Sequence, residues 1–147
     1  MLEQNKPDNK QEVNTDQDAN QQKNAELYQI LLKNHKAYVI KTDAETNYTY
    51  ANELFLTKFG LDYDAIIGTS SMDSIYIEDH PKTFDAAKFC LEHPLEPISV
   101  TLRKPMPDGS FKTTDWEFIG ITNEQGKVSE LLCIGVDVTP QLEAEAA

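Results

Sequence analysis

Between Phe111 and Thr122 the chain separates two kinds of chemistry. Thr114, Trp116 and Phe118 fall on one face of an extended segment, and Asp115 and Glu117 fall on the other. The charged face belongs in water, so the indole face turns inward, where Trp116 either fills a core or stacks on a planar ligand with its N–H as donor. Glu78, Asp79 and His80 are metal-ligating types. Three adjacent residues on a short turn do not converge on one ion, however, and no second cluster at ligand spacing completes four positions, so no metal is expected. The remaining carboxylates read as solvated faces rather than as a converging pair. There is no glycine-rich phosphate loop, no Gly-x-Ser-x-Gly elbow and no paired Cys and His. No catalytic residue is assigned and an enzyme is not supported. Cys90 reads as a small packing residue.

The elements that must position these residues follow from periodicity. Leu27, Ile30 and Leu31 recur at helical spacing from Ala25, which predicts an amphipathic helix over 25–36. Tyr38–Ile40 and Tyr48–Tyr50 are short strands around a turn at 43–47. Asn52 is a helix N-cap for a segment that Gly60 stops, and a further short turn of helix closes at Gly68. A helical turn is expected at 72–76. Asp79 or His80 caps a helix that begins at Pro81 and ends at Glu92-His93-Pro94, with Phe84, Ala87 and Leu91 as its buried stripe. Ile98, Val100 and Leu102 alternate with polar residues, Pro107-Asp108-Gly109-Ser110 makes a hairpin, and a second turn at 123–126 leads into a strand over 127–138. Leu131–Ile134 is apolar on both faces, as in a central strand. The order is that of an α+β domain with one antiparallel sheet.

Composition bounds the rest. The 147 residues suit one domain, and 13 Lys+Arg against 25 Asp+Glu give a net charge of −12, which repels nucleic acid and anionic membrane surfaces. No apolar run is long enough for a membrane span, and the first residues lack the pattern of a signal peptide. Residues 1–24 hold ten Asn or Gln and only four apolar residues, too few to offset the entropy of ordering, so a disordered polar tail is expected. Two cysteines do not make a disulfide scaffold. A cytoplasmic domain follows as the expectation.

From about residue 25 to 140 the sequence resembles a PAS sensory domain. The resemblance is carried by Asn52, Phe59-Gly60, Ile67-Gly68, Glu78-Asp79, Asp108-Gly109-Ser110, Trp116, Gly126 and Asp137-Val138-Thr139, in that order. It implies a five-stranded antiparallel sheet in order 2-1-5-4-3, with short helices over one face and a small-molecule cavity between. Implied too is a sensor that relays a small ligand or redox signal to a fused effector: a histidine kinase, a diguanylate cyclase or a transcription regulator.

On that reading Thr114, Trp116, Phe118, Cys133 and Phe84 line the pocket, and Gly135 leaves space in it. Haem-binding members place a histidine within the long helix, and none stands here between Pro81 and Glu92, which argues against haem. Flavin photosensors carry a cysteine before that helix. The matching stretch, Met72 to Asp79, has none, which argues against a covalent flavin photocycle. A small metabolite and no ligand at all stay open. Thr139 is an N-cap and Pro140 a first helical residue, so 141–147 reads as the start of a connector helix, with Asp137 and Thr139 relaying signal to it. A ligand-free dimerisation module is the alternative, its homodimer contact formed by Leu27, Ile30 and Leu31.

Overall fold

A computed structural model describes residues 36–146. The expected helix over 25–36, with Leu27, Ile30 and Leu31, and the tail before it lie outside the described residues but for Lys36. Strand β1 (Tyr38–Asp43) turns into β2 (Tyr48–Ala51), and the Asp43 carboxylate shapes the turn by accepting the Glu45 and Asn47 backbone N–H groups, each at 2.9 Å. Helix α1 (Glu53–Phe59) starts at Asn52, whose side chain accepts from the Phe55 N–H at 3.2 Å. The same side chain donates to the Ala37 carbonyl at 2.9 Å and so ties the cap to the sheet. Gly60 ends α1 at φ +65°, a left-handed conformation that glycine adopts without cost.

Helix α2 (Tyr63–Ile66) is capped by Asp62, and two 3₁₀ turns, Ser71–Ser74 and Ile77–Asp79, lead into α3 (His80–Glu92). Strands β3 (Ile98–Pro105), β4 (Phe111–Thr122) and β5 (Val128–Asp137) follow, then α4 (Thr139–Ala146). The sheet runs β2-β1-β5-β4-β3, antiparallel throughout, with the doubly apolar β5 at its centre as expected. Registers Tyr38↔Gly135↔Trp116 and Ile40↔Cys133↔Phe118 put these six residues in two rows on the inner face.

The face of α3 departs from expectation. Its buried residues are Thr83, Ala86, Ala87 and Cys90, a stripe of period i, i+3, i+4, i+7 built from small side chains. Phe84, one residue off that stripe, is 52% exposed and packs edge-on to His80, and Leu91 is exposed as well. Small residues let the helix approach the sheet closely, and a phenylalanine on that face would prevent it.

Asp79 does not cap α3 with its side chain. Its buried carboxylate instead accepts from Arg103 three times: the backbone N–H at 2.8 Å, Nε at 3.0 Å and Nη2 at 2.7 Å. Those bonds hold the carboxyl below its usual range and fasten the start of α3 to β3.

Candidate functional site

The inner rows of the sheet and the buried stripe of α3 enclose a cavity of about 20 Å³, room for one water molecule. Phe118 and Cys133 line it, and so does Trp116, which also joins an aromatic cluster with Tyr38, Phe55 and Phe118 at centroid separations of 6.1–6.4 Å. The indole N–H is committed to the Thr114 hydroxyl at 2.6 Å, and that hydroxyl donates to the Leu102 carbonyl at 2.8 Å. Thr114 is therefore a fully buried support for the indole and does not reach the cavity wall. Phe84 does not reach it either: the α3 residues at the wall are Thr83 and Ala87.

Gly135 has a different role from the one expected. A Cβ there would lie 2.5–2.7 Å from the Trp116 ring, so the missing side chain admits the indole rather than a ligand. His80, whose Nε2 shares a hydrogen bond of 2.9 Å with the Ile75 carbonyl, stands at the start of α3 and not at the wall.

The residue that sequence reading missed is Lys104, at 1% exposure among the most buried large side chains described. It lines the cavity, and Nζ lies 5.1, 5.6 and 5.8 Å from the ring centres of Phe55, Trp116 and Phe59. Desolvation lowers its pKa to about 7. The Cys133 thiol beside it is pushed up by burial, and that of Cys90 is pushed up to about 11. Neither thiol is a ready nucleophile. The signal for Lys104 was strand parity: it continues the row Ile98, Val100, Leu102.

On the same strands, two residues past Gly135, the Asp137 carboxylate accepts from the Thr139 N–H at 2.9 Å. The Thr139 hydroxyl turns from its own helix and accepts from the Thr113 N–H at 2.8 Å, while the Val138 N–H donates to the Thr113 carbonyl at 2.9 Å. The first turn of α4 is thereby bonded to β4, whose Trp116 and Phe118 line the cavity. Among the described residues no group of three His, Cys, Asp or Glu could hold a metal ion, and no helix is long and apolar enough to cross a membrane.

No family model and no curated protein matches the sequence. Solved structures do match. The PAS-B domain of Cycle from Drosophila melanogaster, with bound ethylene glycol, is 15% identical over 68% of this chain and 98% of that one, at a TM-score of 0.61. A sensory box histidine kinase/response regulator from Burkholderia thailandensis is 21% identical over 81% and 89%, at 0.62. The PAS domain of an HTR-like protein from Haloarcula marismortui is 16% identical over 84% and 98%, at 0.61. The chain has the PAS fold.

Proposed function

We propose that this domain is the non-catalytic input of a cytoplasmic signalling protein, and that a small ligand in the cavity shifts the angle or stability of α4. The observation that carries this reading is the continuity of β4 and β5. The strands that line the cavity through Trp116, Phe118 and Cys133 also hold the first turn of α4 through Thr113 and Asp137. A ligand that favours one packing of these strands biases the helix, because a ligand moves an equilibrium by its differential affinity for the two states. Among the similar structures, one is named as a histidine kinase/response regulator, which supports a fused effector of that kind.

Native mass spectrometry of the purified chain tests this proposal against its denatured mass. Extra mass that disappears on denaturation supports a captured ligand. A bare chain, also unresponsive to small molecules, counts against it.

The small cavity favours a second reading, a dimerisation module that needs no ligand. Its contact would be Leu27, Ile30 and Leu31, and replacing Leu27 by Asp should then convert a dimer to monomer in sedimentation experiments.

A further inference from the structure

Strand parity carries Lys104 into the core two residues after Leu102, where an ammonium loses its hydration. An ammonium has three N–H donors, and Ser74 Oγ takes one of them at 3.4 Å. Among the described residues no carboxylate pairs with it. The faces of Phe55, Trp116 and Phe59 attract the cation, but a ring face is a weak acceptor.

The cavity that this side chain lines has the size of one water molecule, and part of its wall is polar. Thr42, Thr46, Ser71 and Thr83 stand there with Lys104. Each of the four hydroxyls donates its hydrogen to a carbonyl: Thr42 to Asp43 at 3.0 Å, Thr46 to Glu45 at 2.6 Å, Ser71 to Thr46 at 2.6 Å and Thr83 to Asp79 at 2.8 Å. Their oxygens keep lone pairs and act toward the cavity as acceptors. A wall with several acceptors and one strong donor matches a water molecule, whereas a wholly apolar cavity of this size stays dry.

We propose that this cavity binds one water molecule, which accepts an N–H bond from Lys104 and donates to hydroxyls of the wall, and so supplies the second acceptor that lets the amine hold charge inside the fold. The inference goes beyond the sensory reading. Any ligand that widens this space must first displace the water and replace its hydrogen bonds.

The water is coupled to the proton on Lys104. By accepting from the ammonium it favours the charged form, against the burial that brings the amine to about 7. The titratable groups around the amine are Cys133 of β5, Cys90 of α3 behind it and, through Ser74, Tyr48 of β2. Burial raises all three, Cys90 to about 11 and Tyr48 to about 12, so near neutral pH they are uncharged. Helix α1 and strand β4 present the rings of Phe55, Phe59 and Trp116, and the 3₁₀ turn presents Ser74, while Asp73 of that turn is exposed. The amine therefore titrates alone, and its midpoint reports the water.

Two measurements on the full chain test this. A high-resolution crystal structure should show one oxygen peak in the cavity, within hydrogen-bond distance of Lys104 Nζ and of a wall hydroxyl. A dry cavity, or a peak bonded to hydroxyls alone, overturns the proposal. The second measurement follows the titration of Lys104 by side-chain NMR, in the natural chain and in Ala87→Val, whose added methyl groups take the room of the water. Losing a hydrogen bond to a charged group should lower the midpoint by roughly one to two pH units, a roughly ten- to hundred-fold loss of proton affinity. An unmoved midpoint would mean that the ammonium draws nothing from the cavity, and the proposal falls. If Ala87→Val does not fold, the crystal structure of the natural chain still decides.

Discussion

Lys104 sets the electrostatics of the interior, and its pH dependence has a definite sign. Unfolded, the amine titrates near 10.4; folded, burial brings it to about 7. Between those values the unfolded chain binds more protons, so stability rises with pH there, and below about 7 the folded chain bears the full cost. Replacing Lys104 by Met should therefore raise unfolding free energy by on the order of 4 kcal/mol near pH 6, narrowing to roughly 2 kcal/mol near pH 9. Urea titrations across that range check it, and a pH-independent difference would refute it. Gly135 offers a steric counterpart. Gly135→Ala drives a Cβ into the Trp116 ring, and overpacking of this kind costs roughly 1–3 kcal/mol, with an altered tryptophan emission. If the denaturation midpoint is unmoved, the ring has room that the geometry denies. Trp116, Phe118 and Cys133 were legible as inward residues because alternation is a strong signal. Lys104 obeyed the same alternation, but a lysine's ordinary preference for water hid it. The function of Gly135 was hidden for another reason: which side chain occupies the space above a glycine depends on the neighbouring strand, not on local sequence.

Strands, hairpins and the Asn52 cap could be read directly, since each follows from local periodicity or from the conformational preferences of Asn, Asp and Gly. The packing face of α3 could not. Helical spacing allows both 84-87-91 and 83-86-87-90, and large apolar residues favoured the first. Close approach to the sheet selects the second, in which Thr83 satisfies its hydroxyl on the Asp79 carbonyl at 2.8 Å. The tie between α3 and β3 is likewise tertiary, because Asp79 and Arg103 are far apart in sequence. Its strength should follow the charge on Asp79. A carboxyl held below its unfolded value stabilises the fold above that unfolded value, and the contribution disappears as pH falls through the folded one. Arg103→Met should thus lower the urea midpoint at neutral pH by taking both guanidinium bonds from a buried carboxylate and leaving it the backbone N–H and Lys82 at 3.6 Å, and the deficit should shrink in acid as Asp79 is protonated. Equal midpoints at neutral pH would show that the pair contributes nothing to stability, as many exposed ion pairs do.

For the molecule as a whole, a water-sized cavity and a helix tied to the strands at Thr113 and Asp137 become a sensor only if those strands couple the two. The coupling available is small in number of bonds: Asp137 to the Thr139 N–H, and Thr113 to both Thr139 and Val138. Few bonds make a junction that a modest ligand energy can bias, whereas the core around Phe55 and Trp116 is too well packed to shift without cooperative change. Asp137→Ala and Thr139→Val should each release α4 while leaving the sheet in place. Loss of one such cap or tie is worth roughly 0.5–2 kcal/mol, so amide exchange in α4 should quicken by roughly two- to thirty-fold. Exchange in β4 and β5 should not change. Hydrogen-exchange mass spectrometry resolves the two regions, and slow exchange surviving in α4 would mean that its hold lies elsewhere. Equal loosening of β4 would mean that junction and core are one cooperative unit, unable to act as separate input and output. If the domain is fused to an effector as proposed, the same Asp137→Ala change should uncouple output from ligand without unfolding the domain, and unchanged signalling would remove this residue from the relay.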